Sequence, residues 1–319
     1  MTSPGMPVSG RVGAGKKGRS DLLLAVAMIA PAFVGFIVFL LWPTLNGIWL
    51  SFTNYNLLTQ PEFVGFKNYL RMLEDPVFWN AAGVTIYYVV VNIGVQTVLA
   101  LLIAVLMHRL TQSTWVRSIV LTPYLVSNVV AALVFMWILD TQLGIGNQVL
   151  ASMGLNTIPF LSQESTVIPT IALINVWRHM GYTALLIFAG LQTIPESAYE
   201  AARVDGASEW QMFWRITIPL LRPILALVLI MTIIGSFQVF DTVAIATRGG
   251  PVNSSRVLQL YIYDMAFGRF QFGYASALSV ALLLILVVIT FFQYRLTRAG
   301  ETDRSEEHTS ELQSPTSIS

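Results

Sequence analysis

Residues 76–108, PVFWNAAGVTIYYVVVNIGVQTVLALLIAVLMH, run for 33 positions without an Asp, Glu, Lys or Arg. About 20 predominantly apolar residues in a helix cross the roughly 30 Å hydrocarbon core of a bilayer. Working outward, further uncharged runs of predominantly apolar residues are 40 residues (22–61), 22 (118–139), 18 (223–240) and 25 (270–294). A sixth candidate, 167–190, is interrupted by Arg178. Across 319 residues the chain is 55% hydrophobic and 11% charged, against about 25% charged in a soluble domain. The expected fold class is therefore an all-α integral membrane protein with six transmembrane helices. The run 22–42 is too long for the apolar region of a cleaved signal peptide, and Trp42-Pro43-Thr44 is a poor cleavage site.

Composition removes several function classes. Zero Cys excludes disulfides, thiolate metal sites and Cys nucleophiles. A net charge of +1 offers no field for nucleic acid. Orientation follows from Lys and Arg, which concentrate on the cytoplasmic side. With the N-terminus inside, 12 of them fall in inside segments and 5 outside, with Arg178 left within the membrane. Both termini are thus expected in the cytoplasm of a multi-pass protein of the inner (cytoplasmic) cell membrane, and 191–222 becomes an inside loop.

Three domains are expected: a flexible cytoplasmic tail over 1–20, a six-helix membrane domain over 21–298, and a polar tail over 299–319 that reads either as disordered or as non-native. The first tail contains Gly10-x4-Gly15-Lys16, a near miss to a phosphate-binding loop. The position after Lys16 needs Ser or Thr and holds Lys17, and no strand precedes the glycines. In the outer loop 43–80, Phe66, Tyr69, Leu70 and Leu73 recur at helical spacing. They predict a short surface helix that packs as a lid or docks an external partner.

The inside loop carries the most specific pattern. Thr193 and Glu196 have the spacing of a capping box, Pro195 suits a first turn, and Asp205-Gly206 reads as a left-handed helix end. Ser208 and Gln211 suggest a second capping box, with Pro219 closing that helix. Two short helices are expected, presenting the small residues Ala198, Ala201 and Ala202 and the large aromatics Trp210, Phe213 and Trp214. Such aromatics on a connection suit a protein interface or a resting place on the membrane.

Glu200-Ala201-Ala202, three residues, Gly206, nine residues and Ile216-Thr217-Ile218-Pro219 resemble the EAA loop of permease subunits of binding-protein-dependent ABC importers, with Ile218 where Leu is usual. Ala30-Pro31-Ala32, Ser51-Phe52-Thr53, residues 64–69, Arg117 with Thr122-Pro123-Tyr124, residues 189–192, Gly249-Gly250-Pro251 and residues 272–277 are similar to the carbohydrate-uptake branch of that family. The resemblance covers residues 20–298 and points to sugar or glycerol-phosphate permeases. It implies a second permease chain, two cytoplasmic ATPase subunits, an external solute-binding protein and a sugar-like solute. It also implies a cytoplasmic EAA coupling helix pair between helices four and five, made by Glu200, Ala201, Ala202, Asp205, Gly206 and Pro219. Glu200 would face a basic residue of the ATPase. The chain would be a conduit and lever without its own ATPase site or any catalytic or metal-binding residue. It would bind no cofactor, ATP and Mg being used by the partner.

Polar groups inside spans are costly and face the bundle interior or a cavity. The candidates for a solute path are Asn175, Trp177, Arg178, Ser236, Gln238 and Asp241, with Asn92, Gln96, Asn128 and His179 nearby in kind. Related maltose permease positions add weight to Asn175 and Ser236. Interhelical hydrogen bonding is the alternative for each, and Arg178 has two readings, a pair with Asp241 or a contact with an anionic solute. The competing function is a self-powered secondary transporter or channel for a small polar solute. That class would show a coupling carboxylate or internal repeats, and only Asp241 lies near membrane depth.

Overall fold

The computed structural model describes the backbone of residues 17–111 and 113–312, and side chains within 24–295. The phosphate-loop near miss and the tail as far as residue 16 lie outside the described residues, as do residues 313–319. Among the described residues the only β feature is an isolated bridge between Thr53 and Phe63.

Helix α1 (Lys17–Phe36) begins inside the stretch expected as tail and passes through a π turn, Ile37–Leu41, into α2 (Trp42–Leu50). The turn precedes Pro43, whose missing N–H interrupts the regular ladder. None of the best apolar window in Leu24–Leu50 is buried, so this stretch stands against the outside of the bundle. Helix α3 (Lys67–Glu74) lies where the periodicity predicts it, but on a different face. Asn68 and Met72 are buried, whereas Phe66, Leu70 and Leu73 are exposed. Asn68 explains the rotation: its Nδ2 donates to Ser51 O and Thr53 O, both at 2.8 Å.

Helix α4 (Pro76–Leu110) spans 35 residues, and Asp75 caps it by accepting from Val77 N–H at 2.9 Å. The expected third span is bent. Helix α5 (Thr114–Leu121) runs through a 3-10 turn, Thr122–Leu125, and turns by 90° into α6 (Asn128–Ile138). Pro123 and the extended backbone of Val126 and Ser127 make the break. Helix α7 (Ile145–Ser152) precedes α8 (Glu164–Leu191), which carries Arg178 inside it. After α9 (Glu196–Val204) and α10 (Glu209–Met212), a π turn at Phe213–Thr217 leads into α11 (Ile218–Phe237). Then follow α12 (Asp241–Ala246), α13 (Leu258–Tyr263), a π turn at Asp264–Gly268 and α14 (Phe272–Leu312). The backbone helix of α14 thus continues into the stretch expected as polar tail. Among the described residues, five stretches are long and apolar enough to cross a membrane, or six with the bent pair counted as one.

Helices α4 and α8 form the axis, packed along their length, and both bury small residues: Ala81, Ala100 and Ala104 on α4, Ala172 and Ala184 on α8. Small residues let two backbones approach closely, which sustains helix association where lipid is as apolar as the side chains. A Cβ at Gly181 would sit 1.9 Å from Val120 O, so only glycine lets α5 cross α8 there. Likewise a Cβ at Gly273 would sit 2.0 Å from Thr53 O, while Gly273 N–H donates to Tyr55 O at 2.9 Å. One end of the bundle therefore gathers residues 51–55, 64–75 and 271–274; the segment 191–218 lies at the other.

Candidate solute cavity and the element at residues 191–218

A cavity of about 230 Å³ opens within the bundle between α4, α8, α11, α12 and the bent pair. Its walls are helical stripes. Asn175, His179, Tyr182 and Leu186 follow one another at i, i+4, i+7 and i+11 on α8, and Tyr88, Asn92 and Gln96 at i, i+4 and i+8 on α4. A 3.6-residue period puts each set on one face.

Hydrogen bonds fix the polar groups in a definite sense. Ser236 Oγ donates to Thr232 O at 2.7 Å and therefore accepts from Asn92 Nδ2 at 2.9 Å. The same Nδ2 lies 3.2 Å from Gln96 Oε1, and Gln96 Nε2 donates to Thr183 Oγ1 at 2.9 Å. Asn175 Nδ2 donates to Ile171 O and Thr242 Oγ1, at 3.1 and 3.3 Å. Asn128 Nδ2 donates to Asp241 Oδ2 at 3.0 Å. Both Asn92 Oδ1 and Asn128 Oδ1 are buried without a hydrogen-bond partner.

Of the six sequence-proposed path residues, Asn175, Ser236, Gln238 and Asp241 line this cavity, as do Asn92, Gln96, Asn128 and His179. Trp177 and Arg178 do not. Trp177 turns its ring edge to Phe135, with centroids 5.1 Å apart. Arg178 Nε donates to Val126 O at 2.6 Å, satisfying a carbonyl freed by the break in the bent pair. Its NH1 lies 2.8 Å from His179 Nε2, which must accept because guanidinium only donates. His179 Nδ1–H then donates to Asn175 O at 2.9 Å. Asp241 takes its described bond from Asn128, not from Arg178. Sequence reasoning missed the stacked pair Tyr124–Tyr182, with centroids 4.5 Å apart and planes 12° from parallel, and also Thr183 and Thr242. The stripe starting from Asn175 was the available signal for Tyr182.

At the 191–218 end, α9 closes with a left-handed Gly206, φ +77°. Ala207 N–H donates to Ala202 O at 2.9 Å and Gly206 N–H to Arg203 O at 3.1 Å, a complete Schellman closure. Ser208 and Gln211 form the expected reciprocal cap of α10, with bonds of 2.8 and 3.3 Å. Thr193 does not cap α9: its hydroxyl bonds back to Gly190 O at 2.8 Å, and Pro195 occupies the cap position. Nor does Pro219 end the second helix. The π turn just before it absorbs the missing N–H, and the chain runs on into α11. Glu200, Ala201, Asp205 and Gly206 are exposed, while Ala202 and Pro219 are half-buried. Tyr199 OH lies 2.9 Å from Thr217 Oγ1, and Arg109 pairs with Glu209 at 2.7 Å across an exposed site. Trp210, Phe213 and Trp214 cluster with centroids 5.2–6.3 Å apart, Trp210 stacked on Phe213 and Trp214 edge-to-face with both.

At the opposite end, Asp75 accepts from the hydroxyls of Tyr261 and Tyr274, the latter at 2.7 Å. Burial pushes the Asp75 carboxyl up, but these two hydroxyls and the N–H groups of Val77 and Phe78 outweigh it, so its pKa is lowered. Burial, then the bond to Asp75, pushes Tyr261 up to about 12, so it remains a donor.

The family described as "Binding-protein-dependent transport system inner membrane component" matches residues 96–299. The chain is 33% identical over 284 residues to the sulfoquinovosyl glycerol transport system permease protein SmoG of Agrobacterium fabrum, covering 88% of this chain and 92% of that one. It is 30% identical over 277 residues to the trehalose/maltose transport system permease protein MalF of Thermococcus litoralis, covering 86% and 94%. Among solved structures it superposes, with a TM-score of 0.79 and 25% identity over 90% of this chain and 97% of the other, on a chain of a bacterial alginate ABC transporter crystallised with an alginate pentasaccharide-bound periplasmic protein. With its apolar helices, its central polar cavity and these matches, the chain is a member of the binding-protein-dependent transport system inner membrane component family, a permease subunit of the ABC transporter kind.

Proposed function

We propose that this chain forms half of the translocation path of an ATP-driven importer for a sugar-like solute, and transmits the ATPase stroke to that path. The single observation that carries the reading is continuity. Helix α8 carries Asn175 and His179 on the cavity wall and ends at Leu191, directly before the exposed α9–α10 element. Helix α11 leaves that element and carries Gly235 and Ser236 back to the same cavity. From Asn175 to Leu191 is about 24 Å of rigid helix at about 1.5 Å per residue. A push on the loop is thereby delivered to the cavity wall.

In this reading both termini and the 191–218 element face the cytoplasm of the inner membrane. Glu200, Ala201, Ala202, Asp205, Gly206 and Pro219 form the seat of an ATPase subunit, which hydrolyses ATP with Mg. A second permease chain covers the exposed helices, and an external binding protein docks at the opposite end. The cavity of about 230 Å³ is smaller than the about 300–1,000 Å³ of a complete small-molecule site, as befits half of a shared path. The relatives' names support a carbohydrate: trehalose/maltose in one case, and the polysaccharide alginate in the structural neighbour. Amides, hydroxyls and the Tyr124–Tyr182 pair suit a polyhydroxylated ring. Impermeant thiol labelling of Asp205→Cys in cells and in inverted vesicles tests the orientation. Labelling only from the cytoplasmic face is expected; labelling from outside overturns it.

A further inference from the structure

We infer that the cavity selects solutes by charge, rejecting anions and favouring neutral donor-rich or cationic groups, and that Asp241 is the residue that sets this selection. The inference rests on the reading of the cavity as the solute path. Among the described residues lining it there is no Lys or Arg, and Asp241 supplies its carboxylate. The nearest cation, Arg178, is tied to Val126 O and to His179 Nε2, and has the Tyr124 ring 5.4 Å away. Its Nε and NH1 are thus directed at protein acceptors, and His179 and Tyr124, not the guanidinium, line the cavity on that side. The amides around it are engaged within the protein: Asn92 Nδ2 and Asn175 Nδ2 each make two such bonds, and Asn128 Nδ2 donates to Asp241 itself.

A cavity lined by a carboxylate and by no Lys or Arg is matched by hydroxyl hydrogens or by a cation. A carboxylate, sulfonate or phosphate on the solute would meet like charge in a low-dielectric space, where repulsion is several times stronger than in water. Neutral sugars pay no such penalty. The separation of Arg178 from the cavity makes the chain a filter rather than a receptor for acidic sugars.

The absence of Cys from the sequence allows a direct probe. At Gly235, on the cavity wall, a new Cβ meets nothing within 4 Å, so Gly235→Cys is sterically free. Thiol-reactive methanethiosulfonates bearing a trimethylammonium or a sulfonate are applied to the assembled transporter in membranes. Each rate is normalised to that reagent's rate with a free thiol in solution. The cationic reagent is expected to react at least about tenfold faster than the anionic one. In the Asp241→Asn background the ratio should fall towards one, and Asp241→Glu should retain it. Gln238→Cys repeats the test should the first variant fail to insert. Equal rates, faster reaction with the anion, or a ratio indifferent to Asp241 overturns the charge selection. Modification by neither reagent at both positions, with the thiols reactive after denaturation, refutes the solute-path reading itself.

Discussion

The carboxylate of Asp75 ties three elements together, and its removal should loosen all three. One oxygen caps α4 through Val77 N–H, and the other accepts the hydroxyls of Tyr261 on α13 and Tyr274 on α14. Loss of an N-cap costs about 0.5–2 kcal/mol. Each buried hydroxyl left without an acceptor costs about 1–3 kcal/mol, and Tyr261 and Tyr274 are both buried. Asp75 itself is only half-buried, so water can replace part of what is lost. Asp75→Ala is therefore expected to destabilise by about 3 kcal/mol. Asp75→Asn keeps an acceptor for the cap but turns an amide NH2, which cannot accept, towards the two tyrosines; their hydroxyls can rotate to accept from it, so the loss is intermediate, about 2 kcal/mol. Thermal unfolding of the purified protein in detergent, followed by Trp fluorescence, gives both values. The pH dependence has a fixed sign. Because the folded pKa of Asp75 is lowered, its contribution is full above the ordinary carboxyl pKa of about 3.9 and is lost as pH falls through the folded value. In wild type this acid loss should be present, and in Asp75→Asn it should be diminished. A stability of Asp75→Ala within about 0.5 kcal/mol of wild type, or an acid response identical in Asp75→Asn, would refute the reasoning.

Other substitutions probe the path, the bend and the coupling element. Asn175→Leu removes the donor to Thr242 Oγ1; uptake should fall by about 2–10-fold, the equivalent of about 0.5–1.5 kcal/mol, with ATPase assembly intact by co-purification. Arg178→Met strips Val126 O of its charged donor at 2.6 Å and should destabilise by about 1.5–3 kcal/mol in thermal unfolding; an unchanged midpoint would mean Arg178 does not hold the bend. Gly273→Ala drives a Cβ to 2.0 Å from Thr53 O and should cost about 1–3 kcal/mol, measured in the same way. Glu200→Lys places a cation on the exposed face of α9 and should abolish ATP-driven uptake without loss of the inserted chain.

The membrane class was legible in the charge-free runs, because a bilayer demands long apolar helices and leaves no other economical reading of 76–108. Local signals were legible where a residue acts on its own backbone. Gly206 adopts its left-handed turn, and Ser208 with Gln211 closes its box. Signals were lost where a distant partner decides. Thr193 bonds backward to Gly190 O rather than forward. Pro219 is accommodated by a π turn instead of stopping a helix. The row Phe66, Leu70 and Leu73 suited a packing lid and a docking face alike; the backbone bonds of Asn68, which the spacing does not show, leave that row exposed. The cavity-lining residues among the candidates were legible by polarity alone, which cannot separate a cavity wall from a helix interface. Arg178 went to a carbonyl opened by a bend that Pro123 only hints at, and Asp75 gave no sign of its two tyrosines nearly 200 positions away.

Gly206 offers the most direct test of the claim that the loop transmits ATPase work to the cavity. Its φ of +77° is costly for a β-branched residue, about 1–3 kcal/mol. No side chain crowds it, so the turn itself is what changes. Gly206→Val should leave the chain inserted at wild-type levels, because the turn lies outside the bundle. In complexes reconstituted with the ATPase, the second permease and the binding protein, ATP-driven uptake should be abolished and ATP hydrolysis should no longer respond to the loaded binding protein. Wild-type uptake with wild-type ATPase stimulation in that variant would contradict the account.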